Sequence, residues 1–497
     1  MSNGCRMTLS RTVYGKVLWC WAVAVLAAAT TATAEQSGDF SYTINDVNTN
    51  TVTITGYSGS GGEVVIPSTL ETKTVTDIGQ EAFYGCVTLT RVEVPNSVTG
   101  IGAQAFRNCA NLMEVTIGRG IVGIGKEAFW GCSRIRRVTF AGIPEVIYGL
   151  AYSPASLCEA FDSSGYEVVI APGVTNIRNF AFLSCGLTGV TIPVGVTNIG
   201  ESAFAFCGLT NSVMIPASVT NIGTYAFYGC AALPGVIIPD SVASIGNQAF
   251  KGCTNLTEVT IGSGIVGIGK DAFWGCNRIR CVTFASIPEV IYGASLPASL
   301  SEEFDGSGYV VVIGPGVTNI RNNAFVSCGL KSVKIPGSVT NIGFGAFAFC
   351  GLTSITIPSS VTSFGDYAFF GCSGLTSVYC KGDAPSVSSK TFEGAINSTI
   401  YYLYGTQKWE PTLGGRPTVL WNPQVQTGEG GLGVRDNVFG FTISSYTNLI
   451  VVVEACTNLG SATWFPVSTN TLIEGTASFS DLQWTNYPAR FYRFSMP

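Results

Sequence analysis

The chain of 497 residues contains no histidine. This removes the commonest general base and the commonest metal ligand, so Ser-His-Asp, Cys-His and His-zinc chemistries are excluded outright. Charge is scarce too: Asp, Glu, Lys and Arg make up 11% of the residues, where an ordinary domain has about 25%. With a net charge of -5 and a pI of about 5.1, the chain has no basic stripe of the kind that phosphate backbones require, and nucleic acid is set aside as a partner. The 17 cysteines show no C-x-x-C spacing, so neither a metal site nor a cofactor is expected. After the N-terminal segment no apolar run reaches the roughly 20 residues needed to span a bilayer, and no transmembrane segment is expected in the mature chain.

That N-terminal segment, residues 1–34, reads as an address. Arg6, Arg11 and Lys16 precede an apolar run from Val17 to Ala29, and Ala32 and Ala34 supply the small residues of an A-x-A cleavage site before Glu35. A secretory signal is expected, with a mature, exported chain starting near Glu35.

What is abundant is repetition. Phe83, Phe106, Phe129, Phe182, Phe204, Phe227, Phe250, Phe273, Phe325, Phe347 and Phe369 each follow an alanine, and a weaker match stands at Phe392. The steps are 22 or 23 residues, apart from two gaps of about 53. A fixed period of this size is the mark of a solenoid, whose units bury their apolar faces only against one another. One unit runs L-T-x-V-x-I-P-x-x-V-T-x-I-G-x-x-A-F-x-x-C. In Leu352–Pro358, Ile355 and Ile357 alternate with Ser354 and Thr356, the pattern of a half-buried strand that Pro358 ends. In the next piece Gly365 suits a turn with positive φ. The fold class is therefore mainly β: a solenoid of roughly fourteen turns, about 65–70 Å long at the strand-to-strand spacing.

Part of the array is duplicated: about 114–210 recurs as 258–353, including its irregular portion. Each irregular portion fits two turns with an inserted loop. Acids recur there, Glu145, Glu159 and Asp162 against Glu289, Glu302 and Asp305. Paired carboxylates at a suitable separation permit glycoside hydrolysis, but Asp162 and Asp305 beside Gly and Ser read better as turn residues. No catalytic residue and no enzymatic activity is expected.

Eleven cysteines (Cys86, Cys109, Cys132, Cys185, Cys207, Cys230, Cys253, Cys276, Cys328, Cys350 and Cys372) stand three residues after a repeat Phe. They should form a buried column of thiols packed as small apolar groups, with neighbours at a spacing long for disulfides. On the outward side of the strands, Thr116, Thr139, Thr191, Thr260, Thr283 and Thr356 occupy equivalent places. They are the candidate binding surface, facing a protein or a sugar, although Thr is also simply a good exposed strand residue.

The expected organisation is a signal peptide (1–34), an N-terminal β cap (35–73), the solenoid (74–424), a Gly-rich linker (425–433) and a small C-terminal all-β, sandwich-like domain (434–497). Candidates for the core of that last domain are Phe439, Phe441, Trp464, Phe465, Trp484, Phe491 and Tyr492. The phrase V-T-N-I-G-x-x-A-F-x-G-C followed by L-T-x-V-x-I-P-x-S-V resembles the BspA-type leucine-rich repeats of bacterial surface and secreted proteins. The resemblance implies a leucine-rich-repeat solenoid with a non-enzymatic role in adhesion or protein binding on or outside the cell, the partner being an extracellular protein or glycan. A carbohydrate-binding module and a structural or envelope-sorting protein are the alternatives. No ligand-contacting residue carries over, because the motif specifies packing.

Overall fold

The computed structural model describes residues 34–144, 146–148, 156–161, 165–287, 290–292, 308–427, 431–446, 449–461 and 463–497. The expected signal peptide, the acids Glu145, Asp162, Glu289, Glu302 and Asp305, and most of the two inserted loops lie outside these residues. Glu159 lies within them, and its carbonyl accepts from Glu127 N–H at 2.8 Å.

Each turn of the chain makes three sides. The first is a strand from the V-x-I-P segment. These strands pair in parallel from 62–65 through 89–94, 114–117, 137–140 and 166–170 to 187–191, with a register shift at Gly62/Glu63 and another at Tyr166/Glu167. The same column continues from 213–214 to 332–334 and from 354–357 through 377–380 and 399–402 to 416–420. The second side is a two- or three-residue strand from the V-T-x-I-G segment, which pairs with its equivalents above and below. The third is the A-F turn, where the N–H of Phe227 donates to Ala249 at 2.7 Å and that of Phe204 to Ala226 at 2.8 Å. All three sides thus satisfy the backbone by bonding from turn to turn, which is why a sequence this poor in helix formers builds a rod.

Period-2 alternation puts Val115 and Ile117 inside and Glu114 and Thr116 outside, and the same holds in the equivalent strands. The repeat phenylalanines stack face to face through the centre, with centroids 5.3 Å apart for Phe204–Phe227 and 5.1 Å for Phe227–Phe250. Full burial of such side chains supplies about 1.5–3 kcal/mol each. Phe161, preceded by Ala160 in one inserted unit, also joins the column at 4.7 Å from Phe129.

Pro358 ends the strand Ser354–Ile357 as expected. Gly365, however, does not take a positive φ. It is glycine because a Cβ there would lie 2.4 Å from the backbone nitrogen of Phe344 in the previous turn. The left-handed conformation falls two residues later, on Tyr367 at φ 59°.

The N-terminal residues form antiparallel strands, 35–37 with 40–44 and 40–44 with 51–57, before 51–57 pairs in parallel with 73–78. At the other end, 424–426 and 432–435 both pair with 438–444, which also pairs with 476–481. The stretch read as a linker therefore contributes strand residues to this sheet at both of its ends. A second sheet has the order 465–471, 450–456, 491–495. The core of this body contains Phe441 as expected, with Phe439 and Tyr492 packed against it, but not Phe465, which is 63% exposed, nor Phe491. Phe465 begins an edge strand that is mostly open to solvent, and Trp464 carries the Arg493 guanidinium on its ring face at 4.6 Å. Ile443, Val451, Val453, Leu472 and Phe479 fill the interior instead.

Candidate functional site

The outward face of the long-strand column is fixed by register. Along it run Val65, Glu93, Thr116, Thr139, Val169 and Thr191. The line resumes as Met214, Ile237, Thr260, Thr283, Val312 and Lys334, and ends as Thr356, Tyr379 and Tyr401. All six candidate threonines do share this face, Thr191 exposed and the other five half-buried. They do not form an unbroken hydroxyl row, because Val169, Met214, Ile237 and Val312 interrupt it.

Three zones result. In the first, the neighbouring column alternates in charge as Arg91, Glu114, Arg137 and Glu167, with Arg91–Glu114 at 3.9 Å and Arg137–Glu167 at 3.6 Å. Half-exposed pairs of this kind add little stability, so their effect is to pattern the surface. The middle zone is apolar at its centre: Met214 is 69% exposed and Ile237 53%, where other units place threonine. The third zone is covered. Tyr379 and Tyr401 stack at 5.3 Å and, with Trp421, share one core with Ile443, Leu449, Val451 and Met496 of the C-terminal sheets.

Two hydrogen bonds hold that cover to the ladder. The N–H of Ile450 donates to the Tyr379 hydroxyl at 3.0 Å, and the Thr356 hydroxyl donates to the carbonyl of Pro497 at 2.6 Å. Partial desolvation lowers the pKa of the Lys381 ammonium, which stays exposed beside the cover, and Glu454 opposes the shift. One of the six predicted threonines is thus engaged by the chain itself. The covering of the ladder was not read from the sequence, although the change from Thr to Tyr at the outward position of 377–380 and 399–402 marks where it happens.

Inside the array the cysteines have a role beyond filling space. Cys109, Cys132, Cys207, Cys230, Cys253, Cys276, Cys350 and Cys372 each donate S–H to the carbonyl of the Phe one turn back, at 2.9–3.3 Å. None of the fifteen described cysteines forms a disulfide. Among the described residues no group of three His, Cys, Asp or Glu side chains comes together to hold a metal ion.

Cys158 differs from the rest. A hydrogen bond from Cys185 lowers its pKa to about 7 against the opposing effect of burial, whereas burial raises that of the similarly half-buried Cys86. At pH 7.5 iodoacetamide should therefore modify Cys158 faster than Cys86, since the thiolate is the nucleophile. Peptide mapping in which Cys86 reacts as fast would contradict this.

A family model described as BspA type leucine rich repeat region matches in six copies, over residues 63–158, 175–296 and 308–408. The chain belongs to the BspA-type leucine-rich repeat family. The BspA-type array is similar to a leucine-rich repeat protein from Bacteroides ovatus, at 24% identity over 78% of this chain and 100% of that one, with a TM-score of 0.41. A leucine rich cell surface protein from Faecalibacterium prausnitzii matches at 26% identity over 76% and 97% of the two chains, with a TM-score of 0.30. The T. pallidum leucine rich repeat protein matches at 26% identity over 50% and 90%, with a TM-score of 0.24. No curated protein sequence matches.

Proposed function

We propose that this BspA-type protein is an exported, non-enzymatic scaffold that binds an extracellular protein on the outward strand face, between Val65 and Lys334. One observation carries the reading: Met214 and Ile237 make an exposed apolar centre on a face whose other outward residues include the threonines, Glu93 and Lys334, with single valines between them. An apolar centre inside a polar rim is the composition of a protein interface. The covered end of the same ladder supports it, because there the column already packs against a protein layer and bonds its backbone. Thr116, Thr139, Thr191, Thr260 and Thr283 then serve as polar contacts around the centre. Export rests on the basic and apolar N-terminal segment, and the C-terminal β body acts in this reading as a cover for the array's end.

The test uses the full mature chain and its Met214→Asp/Ile237→Asp variant as bait against extracellular protein and polysaccharide pools. Capture of a protein by the parent chain and loss of at least about tenfold in the variant is expected, since two charges would be forced into a desolvated centre. Capture of polysaccharide alone, unchanged in the variant, would move the carbohydrate-binding reading ahead.

A further inference from the structure

Away from the strand face, on the A-F turns, two similar clusters of aromatic side chains begin at the ends of the duplicated segments, with Phe206 and Phe349, and continue into the turns that follow. In the first, the rings of Phe206 and Tyr225 both stand edge-on to Tyr228, at 5.2 Å and 75° and at 5.6 Å and 82°. In the second, Phe349 and Tyr367 stand edge-on to Phe370, at 5.0 Å and 88° and at 5.4 Å and 89°. Each cluster is thus two walls set on a third ring.

These rings are held at a cost. Phe206, Tyr225, Phe349 and Tyr367 have φ between 58° and 59°, the left-handed region that bulky residues avoid. Equivalent turns put Gly85, Asn108, Gly131, Ser184 or Gly252 where Phe206 and Phe349 stand. Neither phenylalanine serves the core, being 56% and 57% exposed. The equivalent position of the following turn is a glycine of positive φ, as in several other units, and its missing side chain leaves room for the ring: a Cβ on Gly229 would lie 2.7 Å from the Phe206 ring and one on Gly371 2.6 Å from that of Phe349. The left-handed backbone recurs in this turn in other units, as at Glu81, Gln104 and Glu127, but an exposed phenylalanine on it, where other units have Gly, Asn or Ser, points to a surface role.

The two copies differ in two informative respects. Over Tyr367 the Lys390 ammonium lies 5.5 Å from the ring centroid, within the range of a cation–π contact. Where the second copy has Lys390, the first has the neutral Gln248. Where the second has Phe344 against Tyr367 at 5.5 Å, the first has Glu201. One cluster therefore carries its own ammonium, and the other has no lysine at that position and a glutamate, Glu201, at the position of Phe344.

We propose that Phe206, Tyr225 and Tyr228, with Glu201, form a docking site for a lysine side chain of the partner protein, the second cluster being its self-occupied counterpart. The inference rests on the protein-binding reading, and the net charge of -5 favours such a basic partner.

The probe is an immobilised peptide of lysines spaced by Gly and Ser, compared with the same peptide bearing Nε-acetyl-lysine or Nε-trimethyl-lysine, and with the full mature chain in solution. Acetylation should weaken binding about tenfold, and trimethylation should leave it equal or tighter, because the rings recognise the cation and not a hydrogen-bonding ammonium. Phe206→Gly and Tyr225→Gly should each lose about tenfold in binding while keeping or raising the thermal midpoint, since glycine relieves the positive φ. Glu201→Gln should weaken binding severalfold, and Tyr367→Gly should bind like the parent. The proposal is overturned if the parent does not prefer lysine to acetyl-lysine, if trimethylation weakens binding, if Tyr225→Gly binds normally, or if Tyr367→Gly loses as much. The Met214→Asp/Ile237→Asp variant separates the two ideas. It should keep peptide binding and lose capture of the whole partner, so either site can fail alone.

Discussion

Raising the pH from 8 to 10 should strongly destabilise the array. The thiols of Cys109, Cys185, Cys207, Cys230, Cys253, Cys350, Cys372 and Cys380 are all raised above their ordinary value of 9.0, burial contributing to each, with Cys372 at about 11 and Cys230 and Cys380 at about 12. For Cys109 and Cys253 the larger cause is the hydrogen bond with the neighbouring Cys132 or Cys276. A group whose folded pKa lies above its unfolded value contributes stability that is complete below the unfolded pKa and is lost as pH rises. One pH unit above 9, each thiol that ionises only on unfolding costs about 1.4 kcal/mol. Eight together cost on the order of 11 kcal/mol, against a typical domain stability of about 5–15 kcal/mol. Cys158 acts in the opposite sense: its folded pKa is lowered, so its contribution grows from pH 7 to pH 9, but it is a single half-exposed group. Urea midpoints at pH 8, 9 and 10 should fall steeply over the last unit, and Cys230→Ala should make that fall shallower. A midpoint that stays level from pH 8 to pH 10 would mean that the thiols ionise within the folded array.

Legibility followed from how local each feature is. The column of phenylalanines was readable because its period is written in the chain, and the stacking of Phe204 on Phe227 and Phe250 follows from it. Phe161 escaped although Ala160 precedes it, because the insertion displaces it from the 22- or 23-residue step. Gly365 was placed in a turn of positive φ because glycine answers two needs, an unusual φ and a close approach between backbones, and the sequence does not separate them. The exposed Met214 and Ile237 are visible once V-x-I-P is aligned, as the outward x becomes Met in "VMIP" and Ile in "VIIP". What one unit cannot show is its meeting with a distant segment. Tyr379 and Tyr401 are outward by pattern and buried in fact, because residues some 70 positions later in the chain lie on them, as the bond from Ile450 to Tyr379 shows.

The face and the edge of the rod are thus specified by different positions of one repeat. Changing x in V-x-I-P alters the strand face without touching the core, since Val and Ile on either side carry the packing. Changing the residues two before and two after the repeat Phe alters the turn edge, where left-handed backbone already sets the shape. A repeat whose core is this uniform can vary both surfaces independently, and the two similar aromatic clusters show such variation within a single chain.

Phe227→Ala should give the largest effect of any single core substitution near the middle of the array. The ring is fully buried and stacked between Phe204, at 5.3 Å and 15°, and Phe250, at 5.1 Å and 5°. Truncating a buried Phe costs about 3–5 kcal/mol, through lost transfer energy and the cavity left behind. The neighbours cannot close the gap, because each is pinned by the column beyond it and by the turn-to-turn bonds on all three sides. In a quasi-one-dimensional array, contacts reach only adjacent units, so the damage should stay local. Hydrogen exchange should show protection falling at amides from about Phe204 to Phe250 while strands 89–94 and 114–117 keep theirs. Phe206→Gly, two residues beyond a core Phe but on the exposed edge, should leave the same amides protected. An equal loss of protection along the whole chain after Phe227→Ala would instead show that the turns open as one cooperative unit, held together from end to end by the stacked column.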